Sequence, residues 1–173
     1  MPTSREWTAP LASTGDRSRR DLLRAAASAS VALALGAPSG AADYASPAEA
    51  LRAIDAFEAE VVARLEALGR SVAPARAFAS SLLRDLERHR RGREATRRRL
   101  GLGIEEPARV SPAAPLDLRA LHGAQEKLAY AHAEALPAFA DPRDVRSLAR
   151  HMVDAARHLA VTALWLDAEE ERG

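Results

Sequence analysis

Cysteine is absent from the chain. That excludes disulfides, thiolate metal sites, cysteine nucleophiles and a lipoprotein anchor, and it leaves the redox compartment open. Aromatic residues make up only 4%, so any core must consist of thin side chains, many of them alanine, between closely packed helices. A Gly-rich phosphate loop, a G-x-S-x-G elbow and a His-Glu-x-x-His pair are also missing, and with them the best-marked nucleotide, hydrolase and zinc-protease chemistries. Ser147 stands four residues before His151 with no carboxylate placed to complete a triad. What is present is a 173-residue chain that is 47% hydrophobic, enough for one domain around a single core.

The first 42 residues read as a targeting segment. Ser18-Arg19-Arg20-Asp21-Leu22-Leu23-Arg24 is followed by a weakly apolar run, Ala25 to Leu35, and by small residues at Gly40-Ala41-Ala42. The run is too short to stop in a membrane, and cleavage before Asp43 fits the pattern. The paired arginines resemble a bacterial twin-arginine signal, with Leu22 in place of the usual aromatic. That resemblance implies export of a folded domain, residues 43–173, to the periplasm, with no membrane span once the signal is removed. Without residues 1–42 the chain keeps 20 basic and 21 acidic side chains, so its overall charge makes no case for nucleic acid or a membrane surface.

Four helices are predicted after the signal. Ser46-Pro47-Ala48-Glu49 is a capping box with proline at the first helical position; Leu51, Ile54, Val61, Leu65 and Leu68 then recur at helical spacing, and Gly69 is a natural stop. A short turn implies an antiparallel second helix from Pro74, with Phe78, Leu82, Leu86 and His89 in its stripe and an arginine-rich stretch at 84–99. That stretch reads first as a solvated helix end and secondly as a surface for an acidic partner. Residues 101–115, with Gly101, Gly103, Pro107, Pro112 and Pro115, form the one long connection; fifteen residues reach roughly 50 Å extended, enough to cross a bundle of helices about 30 Å long. Helix three covers about 116–136, and helix four opens at Asp141-Pro142 and carries Val145, Leu148, Met152, Leu159, Thr162 and Leu166.

The two halves repeat. At an offset of 68 residues Pro47 matches Pro115, Glu58 matches Glu126, and Pro74 matches Pro142; at 69, Asp85-Leu-Glu-Arg-His89 matches Asp154-Ala-Ala-Arg-His158. Asp and His four apart share a helix face. Glu58 falls inside the apolar stripe of helix one, where a carboxylate needs a partner. Two Glu-then-Asp/His halves are the raw material of a dinuclear metal site in a four-helix bundle.

On these residues the chain from 44 to 168 resembles the ferritin-like four-helix domains of the small, exported bacterial kind. The resemblance implies an all-α bundle of two helical hairpins joined by a long crossover. It also implies a centre of iron or manganese for metal, dioxygen or peroxide chemistry, with Glu58, Asp85, His89, Glu126, Asp154 and His158 as candidate ligands. The sequence departs from the family pattern at Leu86 and Ala155, three residues before each His, where bridging glutamates belong. His132 is an alternative ligand on helix three. The competing reading is a metal-free bundle in which Glu58 pairs with His89 and His158 bonds a backbone carbonyl, with His122 and His151 as packing residues. Such a protein would act as a non-catalytic interaction bundle of the cell envelope. A homo-oligomer is compatible with either reading.

Overall fold

The computed structural model describes residues 44–71, 73–104, 110 and 118–170. Residues 1–42, read above as an export signal, much of the 101–115 connection and the first residues predicted for helix three lie outside the described residues. Four α-helices form a bundle: α1 (Pro47–Ser71), α2 (Ala73–Arg99), α3 (Leu118–Ala135) and α4 (Pro142–Glu170), with a short 3₁₀ turn at Leu136–Ala138.

Local signals set most of the boundaries. The Ser46 hydroxyl accepts the Glu49 amide at 3.2 Å, and the Glu49 carboxylate reaches back to the Ala45 amide at 2.9 Å, so the capping box forms one residue wider than its usual reach. Helix α1 continues through Gly69 to Ser71. The predicted stop at Gly69 therefore does not act, and the site does not require glycine: a Cβ there would meet Ala79 at an ordinary 3.5 Å. The glycine that does end a helix is Gly101, at the start of the predicted connection. With φ of +69° it lets the Leu102 amide reach the Arg97 carbonyl at 2.9 Å and its own amide the Arg98 carbonyl, a Schellman closure. Asp141 caps α4 through the Arg143 amide at 2.7 Å.

Cross-helix contacts fix the directions. Asp55 and Glu58 of α1 meet Arg97 and Arg93 of α2, so these helices are antiparallel. Phe78 stacks on Trp165 at 5.1 Å, His158 bonds Asp85 and His89 bonds Asp154, so α2 and α4 are antiparallel in one constant register. Ala129 packs with Ala155 and Ala156, and His132, one turn later, meets His151, one turn earlier, placing α3 antiparallel to α4. Helices α2 and α3 therefore point the same way, and the chain from Arg99 to Leu118 joins opposite ends of the bundle. This is the long-crossover arrangement predicted from the sequence. Helix α1 packs closely on α2 and α3, and α3 on α4, while α2 and α4 meet along a looser seam.

The predicted apolar stripe of α1 is buried at all five positions, as are Leu82, Leu86 and Leu148. Burying each such side chain is worth about 1.5–3 kcal/mol. Alanines at 50, 75, 79, 124, 131 and 135 fill the gaps, so the paucity of aromatics is met by close backbone approach. Among the described residues no helix is long and apolar enough to cross a membrane.

Candidate functional site

Midway along the bundle the apolar core gives way to a polar layer with a member on every helix. Helix α1 contributes Glu58, α2 His89 and Arg93, α3 His132, and α4 His151; all are buried. The layer has two halves.

The first lies between α1 and α2. Arg93, 2% exposed, aims its guanidinium into α1. Its Nη1 donates to Glu58 Oε2 at 2.9 Å, its Nη2 to Glu58 Oε1, and its Nε to Asp55 Oδ1 at 2.7 Å. Arg97, also buried, donates to the other Asp55 oxygen. Asp55 and Glu58 are three residues apart and so share the helix face that meets the fork. This is a fully used bidentate arrangement in which each charge has its counter-charge. Burial outweighs Arg93 and holds the Glu58 carboxyl above its ordinary pKa, while the two-point fork matches an ionised carboxylate. Burial likewise opposes the charge on Arg93, but Glu58 and Asp55 more than offset it and raise its pKa. A groove of about 600 Å³ opens outside this pair, lined by Asp55, Glu58, Leu83, Arg90 and Ile104 among others. Its rim charges are paired as well, Arg90 lying between Glu87 and Glu94.

The second half is the seam between α2 and α4. His89 donates its Nε2 proton to Asp154 Oδ2 at 3.1 Å, and His158 donates its own to Asp85 Oδ2 at 3.2 Å. The two Asp-His pentads thus cross-pair, each histidine bonding the carboxylate of the other helix. The His89 and His151 rings stack with centroids 4.3 Å apart, and His132 meets His151 edge-on at 5.9 Å. His132 donates from Nδ1 to the Leu128 carbonyl at 2.8 Å. Gly92 makes the stack possible: a Cβ there would lie 3.0 Å from Cε1 and 3.1 Å from Nε2 of His151. Burial pulls all four imidazoles below their ordinary pKa. His132 falls to about 3, with Arg93 adding to burial, and His151 to about 2, with His89 and His132 adding. For His89 and His158 the partner carboxylates work against burial, which prevails. Asp85 moves down, because His158 and Arg88 outweigh burial.

The six candidate ligands are therefore divided. Asp85, His89, Asp154 and His158 come together at the seam. Glu58 is turned to α1/α2 and held by Arg93, and Glu126 is exposed on the surface of α3. Leu86 and Ala155 are buried, 1% and 2% exposed, in the core. Among the described residues no three His, Asp or Glu side chains are grouped as a metal cage. A dinuclear carboxylate centre does not fit this geometry: its helix-one ligand is already saturated by a guanidinium, its helix-three ligand faces outward, and apolar side chains stand where its bridges belong.

Three residues of the site escaped the sequence reading. Arg93 and Arg97 were placed on a solvated helix end, yet Leu82, Leu86, His89, Arg93 and Arg97 continue one stripe at helical spacing, and that periodicity was the available signal. His151 was assigned to ordinary packing; its pairing depends on Gly92 of another helix, which no spacing within α4 reveals. The metal-free alternative is modified too: Glu58 pairs with Arg93, His158 with Asp85, and the histidine bonded to a carbonyl is His132. Most of the remaining arginines of 84–99 are also neutralised within the molecule, Arg88 by Asp85, Arg91 by Glu87, Arg98 by Glu94 and Arg99 by Asp144. Comparison with the sequence models of protein families, with curated proteins and with solved structures finds no match to this chain.

Proposed function

We propose that the protein is an exported ferritin-like bundle in which a fixed internal cation, the Arg93 guanidinium, stands in for the dinuclear metal centre. It is a non-catalytic helical module of the cell envelope. The observation that carries this reading is the Arg93 fork closed on Glu58 and Asp55. A divalent ion placed on Glu58 would have to displace a buried guanidinium and strip it of two charge-assisted hydrogen bonds, about 1.5–3 kcal/mol each, leaving it Asp55 alone. The repeated Asp-His pentads support descent from a duplicated hairpin, and in this chain they serve to join α2 to α4.

The test is elemental analysis of the purified protein after anaerobic loading with Fe(II) and with Mn(II), beside a Glu58→Ala, His89→Ala double variant. Neither protein is expected to retain stoichiometric iron or manganese. Two ions per chain in the wild type, lost in the variant, would overturn the reading and restore a dinuclear centre.

One observation favours a second reading. His89 Nδ1 and His132 Nε2 are buried with no protein partner, while the other nitrogen of each ring is held by a carboxylate or a carbonyl. Imidazole metal ligands are oriented in that way. Zinc loading in the same experiment separates this nitrogen-donor site from the dinuclear one: it would bind one ion, and His132→Ala would abolish it.

A further inference from the structure

The outward side of the α2/α4 pair is strongly basic although the domain as a whole is nearly neutral. On α2, Arg84, Arg88 and Arg91 are exposed at spacings of four and three residues; on α4, Arg146, Arg150 and Arg157 are exposed at spacings of four and seven. Each set occupies one helical face. Because α2 and α4 are antiparallel neighbours, the two sets lie side by side across the seam. The acids of the seam, Asp85 and Asp154, are turned to His158 and His89 and hold one arginine each, Arg88 and Arg157, and Glu87 holds Arg91, so that half of the six arginines have a carboxylate partner. Among the described residues Arg84, Arg146 and Arg150 have no carboxylate partner. Two apolar side chains stand in the same stripe of α4: Val153, 46% exposed, and Leu164, 38% exposed. Arg146, Arg150 and Val153 also line a shallow hollow.

We infer that this face docks the protein on an anionic phospholipid surface. Guanidinium forks match phosphate oxygens bidentately, several arginines held near a negatively charged bilayer act together, and exposed aliphatic residues among them suit the headgroup boundary. Nucleic acid is the poorer fit. None of the exposed described residues is aromatic, so this surface has no platform on which bases would stack. The inference rests on the envelope location proposed above; metal loading tests the centre and lipid binding tests the face, so the two fail separately.

The experiment is co-sedimentation of the full chain with vesicles of phosphatidylcholine alone or of equal parts phosphatidylcholine and phosphatidylglycerol. The charge-reversal variant is Arg146→Glu, Arg150→Glu on α4. Its control, Arg52→Glu, Lys127→Glu, changes charge equally but on exposed positions of α1 and α3. All proteins retain the apolar run at 25–35, so any contribution from that segment is common to them. The wild type is expected to bind phosphatidylglycerol vesicles and to be released by 0.5 M salt. The α4 variant should bind more than tenfold more weakly, and the control within twofold of wild type. Urea midpoints equal to wild type show that the exposed substitutions leave the fold intact; should the α4 pair unfold the protein, Arg84→Glu, Arg91→Glu on α2 makes the same test. Binding indifferent to phosphatidylglycerol, equal losses in variant and control, or preference for duplex DNA over these vesicles would each overturn the inference.

Discussion

Replacing Arg93 by methionine removes the guanidinium while keeping most of the side-chain volume. Glu58 then loses both donors and is left 5% exposed with an uncompensated charge, whereas Asp55 keeps Arg97. Breaking a buried pair from one side costs about 3–5 kcal/mol, a large share of a typical domain stability of about 5–15 kcal/mol. Glu58→Leu is expected to cost less, about 2 kcal/mol, because Arg93 keeps its 2.7 Å bond to Asp55 and loses two charge-assisted bonds of about 1.5–3 kcal/mol each, partly offset by apolar burial. The double variant Arg93→Met, Glu58→Leu leaves no orphaned charge and should return to within about 1 kcal/mol of wild type. The cycle therefore predicts a coupling energy of about 5 kcal/mol. Urea denaturation reads it directly: with a slope near 2 kcal/mol/M, Arg93→Met lowers the midpoint by about 2 M and the second substitution recovers most of that. The Arg93→Met deficit should also shrink as pH falls. Without the guanidinium the main influence lowering the Glu58 pKa is gone and burial, with Asp55, raises it further, so protonation relieves the folded state more than the unfolded one. A double variant whose loss equals the sum of the single losses would falsify the internal-cation account.

Acid should weaken the bundle by a mechanism distinct from carboxylate titration. Unfolded histidines take up a proton near 6.5, but His132 and His151 stay neutral in the fold down to about 3 and about 2; their contribution is complete above pH 6.5 and is lost as pH falls below it, at about 1.4 kcal/mol per unit for each. Between pH 7 and 5 the two together remove about 4 kcal/mol by the same linkage, and His151→Phe should halve that dependence; urea midpoints that do not move between these pH values would contradict the buried, neutral cluster. Two glycine substitutions should differ in sign. Gly123→Ala meets nothing within 4 Å and should add about 0.5–1 kcal/mol from helix propensity, whereas Gly92→Ala drives a Cβ into the His151 ring and should cost about 1 kcal/mol net, after about 1–3 kcal/mol of overpacking, as a fall in melting temperature.

Helix positions were legible because their signals are local. Ser46, Asp141 and Gly101 act through backbone groups two to five residues away, and the stripe of α1 needs only a period of 3.6. The crossover was legible for a different reason: a connection rich in glycine and proline was long enough to span the bundle, and helix directions then required it. The site was half legible. Asp85 sits at the edge of its helix's stripe and Asp154 about 100° from the centre of its own, which on an isolated helix look like positions unsuited to the core. In the bundle that direction is the seam with the neighbouring helix, so each carboxylate meets the other helix's histidine. Glu126 shows the converse error: its match to Glu58 at an offset of 68 is a property of the sequence, while α3 turns that position to solvent. Equivalent positions in a repeat lie on corresponding helices but need not share an azimuth.

The arginines of α2 show how one composition serves two ends. At positions 93 and 97 they continue the inward stripe and meet carboxylates of α1; at 84, 88 and 91, turned through roughly half a helical circumference, they reach solvent. Charge counting cannot separate the two sets, because both contribute alike to the near-neutral total of residues 43–173. Azimuth separates them, and it assigns different sensitivities. Inward arginines govern stability and are insensitive to salt, since buried pairs are little screened. Outward ones reach solvent, where any association they make weakens as ionic strength rises above about 0.15 M and the screening length falls below about 8 Å. A helix read only as basic therefore contains one set of residues that closes the core on α1 and another that leaves exposed positive charge beside α4.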